Sequence, residues 1–562
     1  MNSAKSIVII GGTACGPKAA ARARRVDPQA RITLVEQDRA LSVATCGFPY
    51  YVGGVIPDDR NLILRNPAYF KAVMDIDAVT GTRATGIDRQ AHTVKLTDVD
   101  TGRTATMAYD KLVLATGAKS IKPKLPGVDL PGVFNFWKLN EAIAVHRWVA
   151  GLKEKKAVIV GAGLIGMEMA EALAVQGLEV TVVEALDRLL PAFLDYEMSA
   201  YVARHLPEGV RMLTGQRVSG FEAGTDGRVA RVLTGQGAVE AGLVVLALGV
   251  KPNTELAAGA GLEIGASGGI AVNEYLQTSD PDIYAGGDCV ENLNRLTGKK
   301  VLLPLGSTAN KHGHVIGSNV AGLKETFPGI LSTAVAKIFD CNAGRTGLGE
   351  AQAKELGYEV VTCLAPNNDH AGYYPGAKEI VIKLVADART GKLLGGQVVG
   401  PGEVAKRVDV LATALTFGAT VEDIANLDLG YAPPFNSASD PVHQAANVVR
   451  NKLNGQAKGI NPAALKGKLE NNDDFVLLDV RTGGEIASCR LDSPGCVRIP
   501  LSELRKRAGE LPPGKPVVAY CRVSVRAYQA QKTLEGAGVD DVCFLDGSMV
   551  TWPYETQGDG PR

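Results

Sequence analysis

The chain has 562 residues, 60 basic against 60 acidic, so its formal net charge is zero, and 46% of it is apolar. That length predicts about three or four domains with ample material for buried cores. Without a basic tract, nucleic acid is excluded as an expected partner, and the 65 glycines are scattered or clustered at turns, without the periodicity of a fibrous chain. No apolar run is long enough to span a membrane. The first run, Ile7-Val8-Ile9-Ile10, enters a glycine turn and reads as a strand, not a signal peptide. Nine cysteines, an odd number, show no disulfide framework and no Cys-x2-Cys metal spacing. No metal site is expected; the close pair His312-x-His314 reads as solvated helix positions. A reducing, cytoplasmic setting is expected.

In chain order, a strand over 6–10 leads into Gly11-Gly12-Thr13-Ala14-Cys15-Gly16, a helix over about 15–26, and a strand over 31–35 ending at Glu36. Pyrophosphate rests on a helix N-terminus in such a unit, and the terminal acid binds ribose hydroxyls. Thr13 replaces the middle glycine of G-x-G-x-x-G, which weakens the match, and Cys15 reads as a small buried thiol. Next comes Ser42-Val43-Ala44-Thr45-Cys46-Gly47-Phe48-Pro49-Tyr50-Tyr51, then the strand exit Leu112-Val113-Leu114-Ala115-Thr116-Gly117.

A second unit is a full match. Ala157-Val158-Ile159-Val160 runs into Gly161-Ala162-Gly163-Leu164-Ile165-Gly166, and the strand Thr181-Val182-Val183 ends at Glu184. An acid there repels a 2′-phosphate, which favours NADH over NADPH; Arg188 nearby leaves NADPH open. Leu246-Ala247-Leu248-Gly249 is another strand exit, and the segment from Thr278 to Asp288 follows. The polar stretch 451–459 reads as a linker. Beyond it, Val517-Val518-Ala519-Tyr520 delivers Cys521-Arg522-Val523-Ser524-Val525-Arg526, a cysteine between a buried strand and a helix. Loop amides and a helix N-terminus at such a place lower a thiol's pKa and cradle anionic sulfur.

Taken together, this order resembles the two-dinucleotide-domain flavoproteins of the pyridine nucleotide-disulfide oxidoreductase family. The resemblance implies an α/β fold: two Rossmann-like domains, an α+β interface domain that dimerises, and here a C-terminal α/β rhodanese domain. The expected boundaries are 1–119 and 249–325 for the FAD domain, 120–248 for NAD(P)H, 326–450 for the interface, 451–459 for the linker and 460–562 for rhodanese. By the same resemblance Gly11, Gly12, Gly16, Glu36, Thr116, Gly117 and Asp288 hold FAD, and Gly161, Gly163, Gly166 and Glu184 hold NADH.

Flavin disulfide reductases carry a Cys-x4-Cys pair near Cys46; here the second position is Tyr51, so no internal disulfide can close. Ser-x3-Cys-Gly-x-Pro-Tyr resembles coenzyme A-disulfide reductases, the single-cysteine branch. That likeness implies Cys46 as nucleophile and Tyr373 and Tyr431, in His370-Ala371-Gly372-Tyr373-Tyr374-Pro375-Gly376 and Leu429-Gly430-Tyr431-Ala432-Pro433-Pro434, reaching over it from the partner subunit of a homodimer. A phenol can donate a proton or hydrogen bond to a leaving sulfur. It also implies coenzyme A contacts from Lys18, Arg22, Arg25, Ser42, Thr45 and Lys71, although Pro17-Lys18 and Ser439 depart from the family pattern.

The tail resembles a single rhodanese domain, which implies Cys521 as persulfide carrier and Arg526 as loop arginine; Ser524 and Ser548 stand where glycine is frequent. Cys-x4-Arg makes a six-residue loop sized for sulfur. The implied activity is NADH-dependent reduction of a persulfide, polysulfide or coenzyme A disulfide. Two alternatives stay open: an NADH oxidase or peroxidase working through a Cys46 sulfenic acid, against which Ala14 stands where that branch carries histidine, and a redox or sulfane-sulfur sensor without turnover.

Overall fold

The computed structural model describes residues 4–491, 493, 495–558 and 560. The chain forms two units, one of residues 1–185 with 209–330, the other of 186–208 with 331–562.

In the first unit, Ser6–Ile10 is the centre of a five-stranded sheet, flanked by Arg31–Val35 and Lys111–Leu114; Asp77–Val79 and Ile283–Ala285 form the edges. Every pairing is parallel, and strands buried on both faces read as unbroken apolar runs. Ile7, Ile9, Leu112, Val113 and Leu114 are all fully buried. Ile283–Ala285 joins this sheet from far along the sequence, pairing with Leu112–Leu114.

The helix Cys15–Val26 lies against Gly306–Val320 through small residues. A Cβ at Gly313 would fall 2.5 Å from the Cys15 carbonyl oxygen, and one at Gly317 2.5 Å from that of Ala19. Only glycine allows this approach, and it buries Ala19, Ala20 and Ala23 beneath the partner helix. This packing corrects the reading of His312 as solvated: its ring is fully buried. Its Nδ1 accepts the Gly287 N–H at 3.1 Å, its ring meets Phe327 edge-on, and burial pushes its pKa down to about 3, so it is neutral. His314 keeps solvent contact and faces Glu325 at 3.3 Å.

A second parallel sheet runs Val210–Leu213, Glu179–Val183, Lys156–Val160, Leu243–Leu246, Val133–Asn135. The helix Leu164–Val175 follows its central strand. Two three-stranded antiparallel sheets flank these layers, Thr82–Asp88 with Thr93–Asp98 and Thr104–Ala108, and Val218–Ala223 with Val229–Thr234 and Gly237–Glu240.

The second unit is built on an antiparallel sheet ordered Ala334–Ile338, Cys341–Gly347, Leu393–Gly400, Glu379–Asp387, Val360–Asn368. Lys383, on the fourth of these, is almost wholly buried, with Asp195, Glu197 and Glu350 carboxylates at 3.0, 3.2 and 2.8 Å. Asp195 and Glu197 come from the 186–208 excursion, which this node fastens to the sheet. Burial alone would favour a neutral amine; three carboxylates overcome it and push the Lys383 pKa up.

The helix Pro441–Leu453 runs into the expected linker. The C-terminal sheet is parallel throughout, ordered Gly459–Ile460, Val542–Leu545, Val517–Tyr520, Val476–Asp479, Val497–Arg498. Its strand Val517–Tyr520 is buried along its whole length and ends at Cys521.

Candidate active site

The two glycine turns are built alike. Gly11 has φ +110°, and a Cβ there would stand 2.0 Å from the Ala115 carbonyl oxygen. Gly161 has φ +106° and meets Ala247 in the same way at 2.5 Å. Gly16 and Gly166 let each helix approach its own turn, since a Cβ would lie 1.9 and 2.0 Å from the Gly11 and Gly161 carbonyl oxygens. Each terminal acid folds back on its turn: the Gly12 N–H donates to Glu36 Oε2 at 2.6 Å, and the Ala162 N–H to Glu184 Oε2 at 2.8 Å. Nothing would crowd a Cβ at Gly163, the residue that opens the second helix, so the chain leaves room there for a phosphate.

Thr116 precedes the left-handed Gly117 and is clamped by Asn253, whose backbone oxygen accepts from the Thr116 hydroxyl at 2.7 Å and whose side chain donates to the Thr116 carbonyl at 2.9 Å. Sequence reading did not single out Asn253; a lone asparagine in a loop carries no signal. Asp288 is half-buried with its pKa pushed up to about 6 by burial. A carboxyl enclosed in this way on the returning loop suits a hydroxyl-rich ligand.

Cys46 sits in the 3-10 turn Thr45–Gly47, ahead of the short helix Phe48–Val52. It is exposed, and all nine cysteines are unpaired. Tyr51, at the place of a second cysteine, is buried and stacks on His146 with ring centroids 4.5 Å apart. Enclosure by the surrounding chain pushes the Cys46 thiol up, and the Glu168 carboxylate adds to the effect. Glu168 escaped the sequence reading because a polar residue on a helix reads as solvated; it is half-buried, with its pKa pushed up to about 7 by burial and by Glu171.

The segment before Cys46 is held by a neighbouring loop. The Ala44 N–H donates to the Leu62 carbonyl at 2.8 Å and the Leu64 N–H to the Ser42 carbonyl at 3.0 Å. Beside this pairing lies a pocket of about 390 Å³ lined by Arg60, Ile63, Leu64, Arg65, Asn66 and Tyr69, with the Arg65 guanidinium 4.6 Å above the Tyr69 ring. Two guanidiniums and an aromatic face suit a nucleotide.

Two of the residues expected to contact coenzyme A, Arg22 and Lys71, are engaged in ion pairs. Ser42 takes a left-handed φ of +50°, and Thr45 is exposed beside Cys46. Arg25 is exposed and Lys18 half-buried. Arg22 is turned toward the Gly306–Val320 helix and the loop after it, donating to Ser318 Oγ at 2.7 Å and pairing with Glu325 at 2.9 Å. Lys71 pairs with Asp75 and Asp77, both at 2.9 Å.

In the second unit, Tyr373 and Tyr431 come together although 58 residues separate them: their hydroxyls are 3.2 Å apart. Both are exposed, at 77% and 50%, and so is Phe435, four residues after Tyr431.

The rhodanese loop is equally specific. Cys521 is fully buried. Its N–H donates to Ser548 Oγ at 3.2 Å, and the Met549 N–H donates to its carbonyl at 3.2 Å. Ser524 and Ser548 have φ of +75° and +48°, the left-handed region where glycine carries no steric cost. Arg526 holds Glu485 through both nitrogens, at 2.9 and 2.6 Å, and Arg522 pairs with Glu379 of the interface sheet at 2.9 Å.

Residues 5–313 match the family described as pyridine nucleotide-disulphide oxidoreductase. The chain belongs to that family. Residues 333–442 match its dimerisation domain, and residues 461–554 match the rhodanese-like domain. The chain is similar, at 44% identity and a TM-score of 0.92, to the solved structure of an NAD-dependent persulfide reductase from A. fulgidus, across 97% of this chain and 100% of that one. It is 38% identical to the NAD(P)H coenzyme A polysulfide/persulfide reductase of Pyrococcus horikoshii, across 80% of this chain and 99% of that one. A Methanocaldococcus jannaschii protein named NADH oxidase is 36% identical across 80% of this chain and 99% of its own length.

This chain is therefore a flavoprotein-type oxidoreductase fused to a rhodanese-like domain. The family implies FAD and a pyridine nucleotide, and the two glycine turns fit them: each has a crowded, left-handed first glycine and a buried acid at the next strand's end. Among the described residues no helix is long and apolar enough to cross a membrane.

Proposed function

We propose that the chain is an FAD-dependent NADH:persulfide or polysulfide reductase acting on sulfane sulfur carried by coenzyme A. One observation carries the reading: an exposed cysteine without a thiol partner, Cys46, shares its chain with a rhodanese loop that retains its own cysteine, Cys521. The names of two relatives, a persulfide reductase and a coenzyme A polysulfide/persulfide reductase, support it.

FAD, when bound, supplies two-electron transfer between NADH and sulfur. Gly11, Gly12, Gly16, Glu36, Thr116, Gly117 and Asp288 would hold it; Gly161, Gly163, Gly166 and Glu184 would hold the nicotinamide dinucleotide. The carboxylate of Glu184 opposes a 2′-phosphate, which supports NADH over NADPH. The pocket of Arg60, Arg65 and Tyr69 next to the Ser42–Ala44 segment supports a nucleotide-bearing thiol such as coenzyme A.

The Cys46 thiolate attacks the inner sulfur of the persulfide. The bond to the terminal sulfur breaks, sulfide leaves, and Cys46 is left in a mixed disulfide with coenzyme A. Two electrons from NADH then release the thiol. Tyr373 and Tyr431 of a partner subunit would hydrogen-bond the departing sulfur; their exposure as a bonded pair within an aromatic surface supports a homodimer that covers them. Cys521 would carry sulfane sulfur as a persulfide. Nine unpaired cysteines support a reducing, cytoplasmic setting.

The test is anaerobic turnover of a coenzyme A persulfide with NADH. Sulfide released one for one with NADH supports the reductase. No sulfide, with NADH consumed on admitting oxygen or peroxide, would instead support the oxidase reading that the M. jannaschii relative's name suggests.

A further inference from the structure

Tyr373 and Tyr431, whose hydroxyls meet, are carried on separate loops. One joins Val360–Asn368 to Glu379–Asp387, and the other leads into the helix Pro441–Leu453. Both tyrosines are exposed, so burial of their rings does not fix them. What ties the loops lies beneath them, at the start of the helix Ala405–Thr416. There Arg407 is fully buried, and Asn436 and Asp440 are each only 2% exposed. Arg407 Nη1 donates to the Glu403 carbonyl at 3.0 Å. Its Nη2 meets three oxygens: the Asp369 carbonyl at the base of the Tyr373 loop, Asn436 Oδ1 on the Tyr431 loop at 3.2 Å, and Asp440 Oδ2 at 3.2 Å. Asn436 carries the tie to both tyrosine segments. Its Nδ2 donates to the carbonyl of Gly430, the residue before Tyr431, at 3.2 Å. Its backbone carbonyl accepts the N–H of Ala371, two residues before Tyr373, at 3.2 Å. Asp369 closes the first loop at its base: its Oδ1 accepts the Lys378 N–H at 3.0 Å, and its N–H donates to the Lys378 carbonyl at 2.8 Å.

We propose that Arg407 and Asn436 are positioning residues for sulfur reduction: they set the Tyr373–Tyr431 pair in one geometry before substrate arrives. The inference rests on the reading in which that pair hydrogen-bonds the departing sulfur. One hydroxyl-to-hydroxyl bond open to water is too weak to order two loops. Charge-assisted hydrogen bonds in a buried network are stronger and more rigid. Burying a guanidinium carries a desolvation cost that an apolar side chain would not. Here the acceptors that offset it lie on the two tyrosine loops and at the starts of two helices, so the outlay fixes where the phenols stand. A proton or hydrogen-bond donor held in place ahead of the reaction needs no reorganisation when charge develops on the sulfur.

The experiment uses the flavin-loaded full chain. Asn436→Ala removes both ends of the amide. Asn436→Asp keeps an oxygen for Arg407 and for the Ser437 N–H, which Asn436 Oδ1 accepts at 2.9 Å, and loses only the donation to Gly430. Hydrogen–deuterium exchange read by peptide mass spectrometry needs no turnover. Asn436→Ala should speed exchange about fivefold in 369–376 and 429–436 together, the equivalent of one hydrogen bond, and leave the rhodanese domain as in wild type. Asn436→Asp should speed it in 429–436. In anaerobic turnover of a coenzyme A persulfide with NADH, both variants should lower kcat about tenfold and keep KM within about twofold. In a Tyr431→Phe background neither should lower kcat much further, because each acts through the tyrosine pair. Unchanged exchange in both loops of Asn436→Ala overturns the inference. So does exchange raised throughout the second unit, the pattern of general destabilisation, or the full tenfold loss repeated in the Tyr431→Phe background. Tyr431→Phe as active as wild type defeats the role of the tyrosines, and absence of sulfide from wild type defeats the reductase reading; in both cases the exchange data still decide whether the buried node orders the two loops.

Discussion

The hydroxyls of Tyr373 and Tyr431 lie 3.2 Å apart on an exposed surface. A hydrogen bond between two side chains that remain open to water contributes little to the stability of one subunit. It does orient both phenols, and it pushes the Tyr373 hydroxyl pKa up, so the pair presents one proton donor at a fixed place. Tyr373→Phe and Tyr431→Phe should each lower kcat for persulfide reduction by about 10²-fold. The double variant should fall little further, because residues acting as a unit are not additive. Heterodimers that combine a Cys46→Ser subunit with a Tyr431→Phe subunit measure whether the pair acts across subunits: assembly in trans leaves one intact site, and activity returns to about half at most.

Arg522 stands next to Cys521 and pairs with Glu379 on the interface sheet, while Tyr201 donates to the same carboxylate at 3.1 Å. Around this pair Arg204 donates to the carbonyls of Val550 and Trp552, and Lys452 pairs with the buried Asp546. With Cys521 fully buried, these contacts act as a latch on the rhodanese loop. An exposed ion pair contributes at most about 1 kcal/mol, so Glu379→Gln should raise the rate of Cys521 alkylation by about two- to fivefold and leave the melting temperature nearly unchanged.

Ser548 spends its hydroxyl on the Cys521 N–H, an amide of the loop that should receive anionic sulfur, and does so in a left-handed conformation. Ser548→Gly frees that amide and relieves backbone strain of about 1 kcal/mol. Thiosulfate-to-cyanide sulfur transfer should rise several-fold in this variant, on the order of one charge-assisted hydrogen bond to the persulfide. Both serine hydroxyls donate to the Leu545 carbonyl, but Ser524→Gly frees no amide of the loop, so its gain should be smaller.

Arg526 holds Glu485 well below the usual carboxylate range, at about 2. A carboxyl depressed in the folded state contributes stability above its unfolded value, near 4.5, and loses it as pH falls toward about 2. The melting-temperature gap between wild type and Glu485→Gln should be constant above about pH 5 and close on acidification through that window. A gap that persists at pH 2 would place the effect elsewhere, for instance in the helix cap that Glu485 completes with Thr482.

The parallel strands were legible because two buried faces demand unbroken apolar runs, as in Ile7–Ile10 and Ala157–Val160. The glycine turns were legible for a steric reason, since a Cβ at Gly11 or Gly161 would overlap a carbonyl from another strand. Local patterning failed where a partner decided the outcome. His312 reads as polar and solvated until Gly313 and Gly317 let the first helix close over it. Arg22 reads as a free cation until Glu325 is placed beside it. The pocket of Arg60, Arg65 and Tyr69 depends on a loop pairing back onto Ser42–Ala44, and Glu168 depends on which helix covers its face. Both are consequences of tertiary contact that no sequence window contains.

Cys46→Ser tests the central claim most directly. With the flavin-loaded enzyme, a coenzyme A persulfide and NADH in the absence of oxygen, wild type should release sulfide in step with NADH oxidation. The variant should keep its flavin and its rhodanese transfer through Cys521, yet release no sulfide above background. Sulfide release at the wild-type rate without the Cys46 thiol would contradict the account and move the reducing chemistry away from this turn.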